Sequence, residues 1–149
     1  LPVTPEPARP RNTGSPVSAG QGGRERVLLV EDEPMVRDLV GSVLGASGYI
    51  VTPAADGQEA LEQMTNHPEG FDLLLTDVVM PGMSGFELAE RLTARWPGTA
   101  VLHMSGYANA EHAPDGALRA DQSLLHKPFT PADLLAQVRE RLDSAATRR

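Results

Sequence analysis

Five short aliphatic runs, each separated from the next by turn residues and a helical pattern, restrict what this chain can fold into. They are Val27–Val30, Tyr49–Thr52, Phe71–Thr76, Ala100–Met104 and Ser123–His126. Each is too short for a helix, and the leucine- and valine-rich ones read as strands buried on both faces. Between them lie segments with helical spacing. Pro34 opens one that runs to about Gly45, with Val36, Leu39, Val40, Val43 and Leu44 on its apolar face. Asp56-Gly57-Gln58-Glu59 and Ser84-Gly85-Phe86-Glu87 read as capping boxes, opening helices to about Asn66 and Trp96. Thr130-Pro131 starts a last helix with Leu134, Leu135, Val138 and Leu142 facing inward. Pro114 and Gly116 weaken the segment Asn109–Arg119, which should form a short or irregular helix. Strands alternating with helices predict an α/β fold: a parallel sheet covered on both faces.

Apolar residues make up 40% of the 149-residue chain and aromatics only 4%, so one aliphatic core is expected. There is no cysteine, which excludes disulfides, thiolate metal sites and cysteine nucleophiles. No stretch approaches the roughly 18 apolar residues of a membrane span, and no signal-peptide pattern opens the chain, so no membrane contact and a cytoplasmic location are expected. Residues 1–24 hold five of the thirteen prolines and carry a net charge of +2, which leaves −9 for the rest. The first segment reads as a flexible Pro/Gly-rich linker, followed by a domain over 25–145 and a short tail at 146–149. A folded unit this acidic is a poor partner for nucleic acid.

The chemistry gathers where strands end. Asp77 closes the Phe71 run, just before the turn residues Pro81, Gly82 and Gly85, and Glu31-Asp32-Glu33 follow the first run. Open α/β sheets bind ligands at the carboxyl ends of their strands. Lys127, the only lysine among thirteen basic residues, follows the fifth run. Three carboxylates and a compact ammonium suit a divalent metal and a phosphoryl group. The plainer reading of Glu31–Glu33 is that they favour the positive end of the following helix, and that of Asp77 is a turn cap. None of His67, His103, His112 and His126 has metal-ligand spacing with another, and His126 is expected at a partly exposed strand end.

Read in order, Val30-Glu31-Asp32-Glu33-Pro34, Thr76-Asp77-Val78-Val79-Met80-Pro81-Gly82, Met104-Ser105-Gly106-Tyr107-Ala108 and His126-Lys127-Pro128-Phe129 resemble the receiver domain of two-component response regulators. The resemblance covers about Arg26 to Ala145. It implies a flavodoxin-like (βα)5 fold with a doubly wound five-stranded sheet in the order 2-1-3-4-5. It also implies that Asp77 accepts phosphate from a phosphohistidine on a histidine kinase or a histidine phosphotransfer domain. Mg²⁺ would then be held by Glu31, Asp32, Asp77 and the backbone carbonyl of Val79. Lys127 and the Ser105 hydroxyl would contact the phosphoryl group, and a cis bond is expected before Pro128. One departure is Leu124, where receivers place an aromatic. Apolar Val79 and Tyr107, each two residues beyond a phosphoryl-contacting residue, should exclude water and slow the loss of phosphate. The opening Leu1-Pro2-Val3 resembles the end of a kinase ATP-binding domain, which implies the C-terminal receiver of a hybrid sensor histidine kinase; a stand-alone single-domain regulator is the alternative. A haloacid-dehalogenase-type hydrolase would need a second aspartate at the position of Val79. A dinucleotide-binding domain would need a Gly-x-Gly-x-x-Gly turn after the first strand.

Overall fold

The computed structural model describes residues 23–105 and 122–148. Strands β1 (Arg26–Val30), β2 (Ile50–Ala54), β3 (Leu73–Asp77), β4 (Ala100–Ser105) and β5 (Gln122–His126) form one parallel sheet in the order β2-β1-β3-β4-β5. Helices α1 (Pro34–Ala46), α2 (Gly57–Asn66), α3 (Gly85–Arg95) and α4 (Pro131–Arg148) pack on it. This is the expected doubly wound α/β fold. The segment Asn109–Arg119, together with Gly106, Tyr107 and most of the expected linker, lies outside the described residues.

Period-two alternation divides the aliphatic runs between two cores. Val27, Leu29, Leu73, Leu75, Leu102 and Met104 face one side, against Val40 and Leu44 of α1 and Leu134, Val138 and Leu142 of α4. Leu28, Val30, Leu74 and Val101 face the other, against Ala60 and Met64 of α2 and Leu88 and Leu92 of α3. Burial on both faces explains why β1 and β3 are apolar at consecutive positions. Leu39 departs from expectation. It lies at the margin of the α1 stripe and is 57% exposed, while Val36 and Val43 are only partly buried.

The helix starts follow their caps. Asp56 Oδ1 accepts the Glu59 N–H at 2.8 Å, and Glu59 reaches back to the Ala55 N–H, one residue beyond the cap. Ser84 Oγ accepts the Glu87 N–H at 3.1 Å, but the Glu87 carboxylate turns to Arg91 instead of closing a box. Thr130 and Asp133 form the full reciprocal pair, at 3.0 and 3.2 Å. Helix α4 continues to Arg148, three residues past Ala145, since no glycine or proline interrupts it. Residues 146–148 therefore extend this helix instead of forming a separate tail.

Candidate functional site

The chain leaves β1 towards β2 on one side and later enters β3 on the other, so a crevice opens between the carboxyl ends of β1 and β3. Glu31 and Asp32 follow β1, and Asp77 ends β3. One carboxylate oxygen from each lies within 4.8 Å of the others. Glu31 and Asp77 are buried, while Asp32 is exposed at the mouth. Lys127 enters from the loop after β5. Its Nζ donates to Glu31 Oε1 at 2.8 Å and lies 3.5 Å from Asp77 Oδ2. The Lys127 N–H donates to the Ser105 carbonyl at 2.7 Å, which ties this loop to the end of β4, and the Lys127–Pro128 bond is cis, as expected.

Four atoms of Glu31 are engaged. Its N–H donates to the Ala54 carbonyl, Oε1 accepts from Lys127, Oε2 accepts from the Glu33 N–H, and its carbonyl accepts from Arg37. Asp77 Oδ1 accepts the Val78 N–H at 3.0 Å. Burial raises the Asp77 carboxyl to about 6, with the charges of Glu31 and Asp32 adding to the shift and Lys127 opposing it. For Lys127, burial disfavours the charged form, but the hydrogen bond to Glu31 and the charge of Asp77 outweigh this and raise its pKa.

The loop after Asp77 needs two glycines for different reasons. Gly82 has φ +86°, a left-handed conformation that side chains other than glycine rarely adopt. At Gly85 a Cβ would lie 2.2 Å from the Asp77 carbonyl oxygen. Helix α3 thus begins directly against the backbone of Asp77, and the Gly85 N–H donates to the Val78 carbonyl at 2.8 Å. Val79 is 48% exposed on this loop. Ser105 is fully buried at the end of β4, one residue beyond Met104, the register partner of Asp77.

The donor set fits a small hard cation. All the candidate side-chain ligands are carboxylate oxygens, they converge, and the exposed side at Asp32 leaves room for water ligands. One ammonium among three carboxylates leaves net negative charge for the cation to offset.

Two residues had no visible signal in the sequence. Arg37, half-buried in α1, donates to the Glu31 carbonyl at 2.8 Å. His103 is fully buried in β4 against the Phe86 ring, with centroids 4.6 Å apart, and among the described residues neither ring nitrogen has a hydrogen-bond partner. Burial lowers its pKa to about 4; the Gly85 backbone opposes the shift but stays outside hydrogen-bonding geometry. Its register partner is Leu124, the position where an aromatic was expected. His126 is exposed at the end of β5.

Comparison with known proteins places the fold in a family. The response regulator receiver domain family matches residues 27–139. The response regulator receiver protein CpdR of Brucella abortus is 37% identical over 121 residues, covering 81% of this chain and 99% of that protein. The sensor kinase CckA of the same organism is 39% identical over 121 residues, which cover 81% of this chain but 13% of the kinase. Among solved structures, a CheY-like receiver domain protein from Methanospirillum hungatei has TM-score 0.72 at 30% identity, covering 85% of this chain and all of that one. The receiver domain of the hybrid histidine kinase CckA has TM-score 0.66 at 32% identity, covering 78% of this chain and 98% of that one. With the family matched from β1 into α4, this chain belongs to the response regulator receiver domains of two-component signalling.

Proposed function

We propose that Asp77 is the phosphoacceptor of a phosphorelay switch. The observation that carries this reading is the convergence of Glu31, Asp32 and Lys127 on the one carboxylate that ends β3. A carboxylate oxygen of Asp77 attacks phosphorus, the phosphorus–nitrogen bond of a phosphohistidine breaks, and the departing imidazole takes up a proton. Asp77 needs no general base, because it attacks as the anion. Glu31, Asp32, Asp77 and the Val79 carbonyl would hold Mg²⁺, which would supply positive charge for the phosphoryl oxygens in the transfer. Lys127 pairs with one phosphoryl oxygen, exchanging part of its contact with Glu31 for the new anion. The Ser105 hydroxyl donates to another and carries the change to the end of β4.

The donor in this reading is a histidine kinase or a histidine phosphotransfer domain in the cytoplasm. Among the described residues no helix is long and apolar enough to cross a membrane. The Pro-rich segment before residue 25 and the likeness to the CckA receiver favour a receiver joined to a hybrid kinase. The 99% coverage of CpdR favours the stand-alone reading.

Adding Mg²⁺ with acetyl phosphate or beryllofluoride tests the proposal by backbone NMR. Signals around Ser105 and Lys127 should move in the wild type and stay in place in Asp77→Asn. Equal responses would sink the proposal.

A further inference from the structure

We infer that Arg37 is a positioning residue for the cation site, holding the turn that carries Glu31 and Asp32 in the shape that receives the ion. The inference rests on reading Glu31, Asp32 and Asp77 as that site. Val30 is the last residue of β1 in register with either neighbouring strand, so the Glu31 carbonyl lies beyond the sheet ladder. The partner it finds is Arg37, whose Nη1 donates at 2.8 Å. The same peptide plane joins Glu31 to Asp32, so fixing its tilt restrains the backbone that carries both side chains. Buried Glu31 is further held by the Ala54 carbonyl, Lys127 and the Glu33 N–H. Asp32 is exposed, and its backbone is held on one side by the Arg37 bond to the Glu31–Asp32 peptide and on the other by the Glu33 N–H bond to Glu31.

The start of α1 lacks the usual local brace. Its N-cap, Glu33, makes no side-chain capping bond, and no acidic residue lies in the first turn. Arg37 has its N–H on the Glu33 carbonyl at 2.9 Å and its guanidinium on the Glu31 carbonyl. It therefore ties the acidic turn to the first turns of the helix by two donated bonds, although as a donor it does not take the acceptor's part of a cap. Losing a group that orients a metal ligand without touching the ion typically costs about 10–100-fold in affinity.

Charge alone predicts the opposite outcome. A guanidinium beside a site for a dication repels it, so removing Arg37 would tighten Mg²⁺ binding if Coulomb forces decided the matter. Positioning predicts weaker binding, so the sign separates the two.

The test is calorimetric titration of the whole chain with MgCl₂. Arg37→Met should raise the Mg²⁺ Kd by about tenfold. Arg37→Lys, which keeps a donating ammonium on a flexible stem, should recover most of the loss. The Glu31 carbonyl ¹³C resonance, recorded without metal, should show the hydrogen bond in the wild type and lose it in Arg37→Met. That wild-type signature can be read even if Arg37→Met fails to fold, and its absence would overturn the inference. Unchanged or tighter Mg²⁺ binding by Arg37→Met would overturn it too, while leaving the cation site standing. A wild type that binds no Mg²⁺ would remove the site and the inference together.

Discussion

Replacing His103 by leucine should change both the stability of the fold and its dependence on pH. The ring is fully buried with neither nitrogen partnered among the described residues, a state that costs about 1–3 kcal/mol. Leucine removes that cost but also loses the contact with Phe86, worth about 1 kcal/mol. At pH 7 the variant should therefore be about 1 kcal/mol more stable than the wild type. The pH dependence is sharper. Burial lowers the pKa of His103 to about 4 from 6.5, so the unfolded chain takes up a proton that the folded chain refuses. The histidine's contribution is intact above 6.5 and declines as pH falls towards 4. Between pH 7 and pH 5 the wild type should lose about 2 kcal/mol from this group alone. Asp77 works in the opposite sense. Its carboxyl is raised to about 6 from 3.8, so the folded chain binds its proton first and gains about 1 kcal/mol over the same interval. The two nearly offset in the wild type, whereas His103→Leu should grow more stable on acidification. Urea unfolding in EDTA at pH 7 and pH 5 measures this, with the difference between the proteins rising from about 1 to about 3 kcal/mol. Parallel pH profiles would refute the reasoning, because they would mean that the ring is hydrogen-bonded or hydrated in solution.

Other substitutions test other parts of the account. Gly85→Ala forces a Cβ into the Asp77 carbonyl, and chemical denaturation should show a loss of about 2–3 kcal/mol. Lys127→Met leaves Glu31 buried without its ammonium and should cost about 2 kcal/mol, while the double variant Glu31→Gln/Lys127→Met should recover much of this in the same assay. Val79 places apolar bulk at the exposed lip of the site, so Val79→Asn should shorten the lifetime of the phosphorylated protein several-fold, as followed by loss of label. An equal lifetime, or a wild-type lifetime of seconds, would count against water exclusion by Val79.

The sheet was legible because β1 and β3 are buried on both faces and so read as unbroken aliphatic runs. The carboxylates and Lys127 were legible because strand ends are where such a fold gathers its chemistry, and each follows a strand signal directly. Leu39 was misplaced because helical periodicity defines a stripe whose margin depends on how the helix lies over the sheet. Arg37 could not be found in advance. Its role depends on one carbonyl extending past the strand ladder, and an arginine in the second turn of a helix usually reads as a solvated charge. His103 was hidden for a related reason: a histidine within an apolar run carries no mark of whether a partner awaits it.

The central claim is that Asp77 is the residue that carries phosphate. Incubating the protein with Mg²⁺ and acetyl phosphate, followed by borohydride reduction and peptide mass spectrometry, tests it most directly. The account predicts a single phosphoryl addition that is lost in alkali, is absent without Mg²⁺, and is reduced to homoserine at position 77. Phosphate on any other residue, or undiminished labelling of Asp77→Asn, would contradict it.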